Sequence, residues 1–352
     1  MNSAIPPPFS TSYSPDLAEL FNRLNCSLAI TTFQSGKLIF VSPGSDDSMT
    51  MMLRSFHSPM GLCADEHRMA LATKDEVIVF GQSPRLAISY LKNPGVYDSL
   101  YVPVQTHYTG QVAIHDIAFI RDEIYAVNTA FSCIVKLGGN CHFTPVWKPG
   151  FITQLASEDR CHLNGMAVEN EEIRYVTALG TTNGPGEWRK SLPNAGVLMD
   201  VKTGDVLAGG LQMPHSPRII KGKLYLLFSA TSELVVFDRS NYTYTTIYKS
   251  KGFYRGLAHY GDYLFIGVSR LRKNSSSFGF LELNSAPLAG VLVIHEPTAA
   301  LIGELKFNAS VDEIYDVQIL PNLRKPNVLN TITDEYKRAL ILPDATFWAG
   351  TL

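Results

Sequence analysis

Three histidines stand at matching places in three successive stretches of this chain: Ile114-His115-Asp116-Ile117-Ala118-Phe119, His162-Leu163-Asn164-Gly165-Met166-Ala167-Val168 and Met213-Pro214-His215-Ser216-Pro217-Arg218-Ile219. His115 lies nine residues before Ile124 and His215 nine before Leu224, the apolar residues that open the next runs, while His162 lies eleven before Ile173. Side chains alternate with period two along a strand, so offsets of nine and eleven send all three imidazoles the same way. Imidazole is the commonest neutral metal ligand, and three of them leave positions open for water, dioxygen or substrate. The expected chemistry is that of a mononuclear centre ligated by His115, His162 and His215, with Fe or Cu favoured and Mn or Zn compatible. A metal-free polar pocket and purely structural hydrogen bonding are the alternatives.

Other residues would complete such a site. Arg255, nine before Leu264, holds the matching place in a further stretch, and Tyr315 and Asp316 hold it in another. Arg255 and Tyr315 are therefore the candidate catalytic groups beside the metal. Arg255 and Arg218 suit a substrate carboxylate bidentately, or else pair with acidic residues of the protein. Asn164 and Asp116 are candidates to hold an imidazole or a bound water, and Asn164 also a substrate, although Asn164-Gly165 equally reads as turn chemistry. Two long inter-strand segments, one from Gly180 to Lys190 and one from Arg270 to Ser275 onward, read as walls or lids, which makes Trp188 and Arg189 candidate substrate contacts. His57, twelve before Met69, is a fourth ligand only if the intervening turn holds an extra residue.

The elements that must position these residues are strands. One amphipathic stretch, Asp16 to Leu24, predicts a short helix; from Ser27 onward the chain is short runs rich in Val, Ile, Leu, Tyr and Thr, cut by Gly, Asn and Asp. The runs fall into groups of four, for example Met60–Cys63, Met69–Thr73, Val77–Phe80 and Leu86–Tyr90. Five such groups, and a sixth assembled from three N-terminal runs and a last run at Val317–Leu320, predict an all-β, six-bladed β-propeller closed by its own termini. The expected organisation is an N-terminal arm over 1–26, one propeller domain over 27–320 and a tail over 321–352 that packs on it. Ligands of propellers sit at the channel mouth, where the histidines would form an arc.

At 352 residues, 45% hydrophobic and 18% charged, the chain can bury a large core. A net charge of −2, from 30 basic and 32 acidic residues, gives no footprint for nucleic acid or an anionic membrane. The N-terminus lacks the pattern of a signal peptide and no run is long enough to span a bilayer, so a cytoplasmic location is expected. Five cysteines without CxxC spacing argue for core packing rather than a disulfide framework. GxSxG, P-loop, HExxH and helix-opening GxGxxG motifs are all missing from the sequence, so any chemistry would depend on the metal.

The strings Asp159-Arg160-Cys161-His162-Leu163-Asn164-Gly165, Tyr175-Val176-Thr177-Ala178-Leu179-Gly180, Met213-Pro214-His215-Ser216-Pro217-Arg218 and Tyr315-Asp316-Val317-Gln318, with Asn128-Thr129-Ala130-Phe131-Ser132-Cys133, resemble those of a bacterial, often cyanobacterial, family of unknown function. The resemblance runs from about residue 28 to 325. It implies a propeller-like fold, with His115, His162, His215 and Arg255 as motif positions and Arg where this chain has His57, and it implies no reaction. At fold level only, carotenoid-cleaving oxygenases hold iron with channel histidines and oligogalacturonate lyases hold manganese similarly. The expectation is a metal-dependent enzyme, an oxygenase or oxidase acting on a small molecule or peptide that Arg255 and Trp188 orient. Its rivals are a metal-dependent lyase using Tyr254 or Tyr315 as base, and a non-catalytic binding module for a peptide or glycan.

Overall fold

The structure is a computed structural model that describes residues 6–270, 278 and 286–350. Six four-stranded antiparallel sheets stand around a central channel as the blades of a propeller. From the channel outward, blade 1 is Leu62–Ala64, Arg68–Ala72, Glu76–Ser83 and Ser99–Tyr108; blade 2 is Ile114–Ile120, Glu123–Asn128, Cys133–Leu137 and Thr144–Trp147. Blade 3 is Leu163–Glu169, Glu172–Ala178, Gly196–Asp200 and Val206–Leu211; blade 4 is Pro214–Ile220, Lys223–Phe228, Glu233–Asp238 and Thr243–Lys249. Blade 5 is Phe253–Tyr260, Tyr263–Ser269, Gly290–His295 and Ala300–Phe307. Blade 6 closes the ring, because Asp316–Pro321 is the inner strand beside Cys26–Thr32, Lys37–Pro43 and Met49–Ser55, with Ala29 opposite Gln318. Every inner strand touches the inner strands of both neighbouring blades.

The core lies between blades. The middle strands are apolar on both faces, as in Leu38-Ile39-Phe40-Val41 and Leu226-Leu227-Phe228, because each sheet is sandwiched by two others. Phe40, Leu71, Phe80 and Tyr101 fill the joint of blades 6 and 1; Val127, Ile134, Leu163 and Val176 fill that of blades 2 and 3. Two-residue turns such as Asn170-Glu171 and Lys221-Gly222 have both residues at positive φ, the type I′ geometry that matches strand twist. Near the axis the inner strands come so close that a Cβ on Gly256, whose φ is +80°, would lie 2.8 Å from the Val317 nitrogen.

A repeated polar latch joins the blades. A hydroxyl at the end of a second strand donates to a backbone carbonyl at the head of the next inner strand: Thr31 to Met60, Thr129 to Leu163, Ser229 to Tyr254 and Ser269 to Ile314, at 2.6, 2.5, 2.6 and 3.1 Å. At the joint of blades 3 and 4 the same link runs through an amide, with Thr177 donating to Asn164 Oδ1 and Asn164 Nδ2 donating to the Pro214 carbonyl. Two residues beyond the latch position on each of three inner strands, a side chain accepts a backbone N–H from the next blade: Asp116 from Met166, Ser216 from Gly256 and Asp316 from Leu62.

Some elements differ from expectation. Leu86–Tyr90 is not the outer strand of blade 1: Pro84–Ile88 is a short helix whose first turn is capped by Ser83 Oγ accepting from the Leu86 N–H, and Ser99–Tyr108 is the strand. A Ser-Pro pair at a helix start outweighs the β propensity of so short a run. The predicted N-terminal helix, Leu17–Leu24, buries Leu17, Leu20 and Phe21 over the joint of blades 5 and 6, with Phe21 edge-on to Phe265. Thr11–Tyr13 adds a fifth strand to blade 5 and Pro326–Val328 a parallel one to blade 1, while Trp348 in the tail packs on Tyr90. Four of the five free cysteines, all but Cys141, are buried. Among the described residues, no helix is long and apolar enough to cross a membrane.

Thr129→Val keeps the shape of the latch but leaves the buried Leu163 carbonyl without its donor. Urea unfolding is expected to show a loss of about 1–3 kcal/mol, against a scale of about 0.5 kcal/mol for an indifferent substitution.

Candidate functional site

The latches fix a ring of side chains at the channel mouth. Each latched carbonyl belongs to the residue just before a ring position, which is Gly61 in blade 1, Asn164 in blade 3, His215 in blade 4, Arg255 in blade 5 and Tyr315 in blade 6. His115, followed by Asp116 as Tyr315 is by Asp316, fills the blade 2 position. Gly61 has no room for a side chain, since its Cβ would sit 3.0 Å from the His115 carbonyl oxygen. Across that gap His115 and Tyr315 meet edge to face, with ring centroids 5.6 Å apart. His115 also meets His162 at 4.9 Å, and the Arg255 guanidinium lies 3.4 Å above the Tyr315 ring.

His162 is brought there by a different route from its two counterparts. Asn164 holds the blade 3 ring position, and His162 precedes it by two residues, in a left-handed loop conformation with φ of +52°. The even offset aims its ring toward His115, while a register shift between Leu163 and Gly165 breaks the strict equivalence with blades 2 and 4.

All three imidazoles are anchored through Nδ1. In blades 2 and 4 the residue two before the histidine, Ala113 or Met213, is left-handed, with φ of +53° or +56°, and its carbonyl meets Nδ1 at 3.0 Å. A non-glycine residue held at positive φ stores of order 1 kcal/mol of strain, so the surrounding fold must impose it. Ser229 Oγ also lies 2.7 Å from His215 Nδ1, and because that hydroxyl donates to Tyr254, Nδ1 must be the donor toward it. In blade 3 the Asp159 carboxylate takes the place of the carbonyl, 3.1 Å from His162 Nδ1. At His115 and His215, whose Nδ1 faces acceptors, Nε2 is thus left as the bare nitrogen, and none of the three Nε2 atoms has a hydrogen-bond partner among the described residues. Burial, then the Arg255 charge, holds His115 and His215 well below the ordinary imidazole range.

Tyr315 carries a hydroxyl with no well-formed hydrogen bond among the described residues, and burial pushes its phenol well above the ordinary value. Tyr254, hydrogen-bonded to Ser250, is pushed up the same way, so neither phenol is poised as a base. Glu313, which sequence reasoning passed over, lies 3.8 Å from Arg255 and is raised by burial, with Arg255 opposing. Asp159 was also passed over as a positioning group, although its place three residues before His162 was the available signal.

The remaining candidates are placed as follows. Trp188 is fully buried and stacks on His162 at 4.2 Å, as a wall of the site. Arg189 lies over the outer face of that indole and pairs with Asp159 at 3.4 Å. Phe253 packs on His215, and Phe278 bridges Phe253 and Trp188; the expected wall segment from Leu271 to Ser275 lies outside the described residues. Asn164 engages both ends of its amide in the latch, donating to the Pro214 carbonyl and accepting from Thr177. Arg218 does not join the histidines either: it makes a bidentate pair with Asp116 at 2.8 and 3.1 Å, below them in the channel, the pairing that its sequence also allowed. His57 is exposed and lies outside the ring. Among the described residues, no three His, Cys, Asp or Glu side chains are grouped closely enough, as they stand, to hold a metal ion.

A wide opening lies on the other side. Cavities of about 790 and 270 Å³ occupy the opposite end of the channel, lined by Asp65, Tyr101 and His259 and by Cys63, Phe119 and Arg218 respectively, with Gln318 shared. The Asp116–Arg218 pair forms the floor of the smaller one.

A family model matches residues 15–329. The chain belongs to the family described as domain of unknown function DUF4915. No curated protein matches it. Among solved structures, a chain from the crystal structure of a nidogen/laminin complex is similar over 84% of this chain and 99% of its own, with a TM-score of 0.54 and 10% identity. Likeness at that identity extends to the fold of this DUF4915 protein alone: function must be argued from the site.

The depressed His215 pKa has a stability consequence. Below pH ~6.5 the unfolded chain binds a proton that the native imidazole refuses, so stability present at neutral pH is lost as pH falls, by up to ~1.4 kcal/mol per unit and per group. His215→Asn, whose amide can still donate to Met213, should show a smaller drop in Tm between pH 7.5 and 5.5 than the unmodified protein. Equal drops would mean that native His215 takes up the proton.

Proposed function

We propose that the channel mouth of this DUF4915 protein is a metal-dependent catalytic centre. His115, His162 and His215 hold one transition metal ion through Nε2, and the enzyme is an oxygenase or oxidase acting on a small molecule or peptide. The observation that carries this reading is the common anchoring of Nδ1. A carbonyl or carboxylate behind one ring nitrogen fixes the tautomer, orients the ring and raises the basicity of the other nitrogen, which is how ligand imidazoles are supported. The depressed pKa values of His115 and His215 add to it, since only the neutral imidazole ligates. Neutral nitrogen donors favour Fe or Cu over Mn, and such an ion supplies a Lewis-acidic centre at which dioxygen or substrate is polarised.

The chain's own residues supply the rest. Asp159 holds His162 and, through Arg189, ties down the edge of the aromatic wall. Trp188 and Phe253 keep water from the flanks of His162 and His215. Arg255 is placed to orient a substrate next to Tyr315.

A second reading, a metal-free binding module for a peptide or glycan, is favoured by the spacing of the donors, since no three of them are grouped for an ion among the described residues. Elemental analysis of untagged protein, followed by anaerobic titration with Fe(II), Cu, Mn and Zn, separates the two. A near-stoichiometric ion lost in folded His115→Ala, His162→Ala and His215→Ala variants is the expected result. Failure of all four metals to bind stoichiometrically would sink the catalytic reading and leave the binding module.

A further inference from the structure

The channel contains two arginines that differ in one respect. Arg218 is fully satisfied, with both carboxylate oxygens of Asp116, the Met166 carbonyl and its own neighbour's carbonyl as acceptors. Arg255, with a side chain only 11% exposed, has a buried Nη2 without a hydrogen-bond partner among the described residues. The carboxylate paired with it among the described residues, Glu313, stands 3.8 Å from Nη1, beyond hydrogen-bond reach. The other groups around it are the face of Tyr315 and the rings of His115 and His215, which bring no negative charge. A buried cationic N–H without an acceptor is among the costlier defects a fold can carry. The same channel shows, at Arg218, what a satisfied guanidinium looks like.

We propose that Arg255 is an oxyanion receptor, and that the ligand of the channel mouth carries a carboxylate or phosphate group that Nη2 binds. This rests on the mouth being the ligand site, as above, but not on a metal being there. The guanidinium carbon lies 3.4 Å from the Tyr315 ring centroid, a cation–π contact that holds the head group at the mouth while leaving its N–H groups free to donate to an incoming anion. The Tyr315 hydroxyl, close to Arg255 and without a well-formed hydrogen bond among the described residues, is available to a second oxygen. Uncompensated positive charge beside three imidazoles also disfavours a lone divalent cation, so an anionic ligand suits the site with or without metal.

The test uses the full chain, stripped with EDTA and dialysed, and follows Tm and calorimetric binding with acetate, oxalate and inorganic phosphate. Ionic strength is held constant with chloride. Saturable stabilisation by at least one of the three is expected, with affinity weakened at least about tenfold in Arg255→Gln and unchanged in Arg239→Gln, an outer-surface control paired with Glu169. Preference for oxalate or acetate would assign the carboxylate class, and preference for phosphate the other. Arg255→Lys covers a failure of Arg255→Gln to fold: it keeps the charge, loses the planar fork and should weaken binding several-fold. Equal responses in the unmodified protein and the Arg255 variants, or no saturable response to any of the three anions, overturns the proposal. Anion binding without metal uptake would retain it and reject the metal centre, and metal uptake without anion binding would do the reverse.

Discussion

The hydrogen bond from the end of a second strand to a carbonyl of the next inner strand is the interaction on which the rest depends. At five of the six joints it is made by Thr31, Thr129, Ser229, Ser269 or the Thr177–Asn164 relay, and each accepting carbonyl belongs to the residue just before a ring position. The residue after the ring position then accepts an N–H from the following blade at Asp116, Ser216 and Asp316. A tripeptide such as Ile314-Tyr315-Asp316 therefore does two things at once, tying blades together and aiming one side chain into the channel. The site is as rigid as the ring closure, because the bonds that hold it are the ones that close the ring.

Charge is layered along the channel below that ring. At the mouth stand His115 and His215, held below the ordinary imidazole range, and a poorly compensated guanidinium. Beneath them Arg218 sits with Asp116, close to Asp316, whose carboxyl is raised to about 7 by burial, with Arg218 opposing and Asp116 adding to the rise. This charged waist stands between the histidine end and the wider opposite cavities, so the two ends of the channel are chemically distinct. An ionic plug of this kind is costly to desolvate, and it persists because its backbone donors, from Leu62, Val317 and Met166, satisfy the carboxylates.

Much of the fold was legible because period-two runs of Val, Ile and Leu, cut by turn residues, recur in fours. The error at Leu86–Tyr90 came from an apolar run too short for periodicity to choose between helix and strand, where the capping Ser83-Pro84 pair decided. His115, His215 and Arg255 were found from a single count, the distance to the next strand, because a hairpin with a short turn fixes the pairing of its strands. That count could not separate His162 from them, since a left-handed residue and a register shift lie between it and its strand. Nor could it say that Asn164 and Arg218 are consumed by the protein itself. Their partners, Pro214 and Asp116, lie 50 and 102 residues away in sequence.

The sequence by itself determined the number of blades and the closure by the two termini, because both follow from apolar runs that recur in fours. Tertiary structure alone decided the chemistry available to the channel residues. Whether an imidazole is neutral, which of its nitrogens is bare, and whether an arginine is satisfied depend on groups that other blades bring within about 3 Å, the range of a hydrogen bond. His215 owes its anchored Nδ1 to Met213 and Ser229, and Arg255 owes its unpartnered nitrogen to the distance at which Glu313 was left.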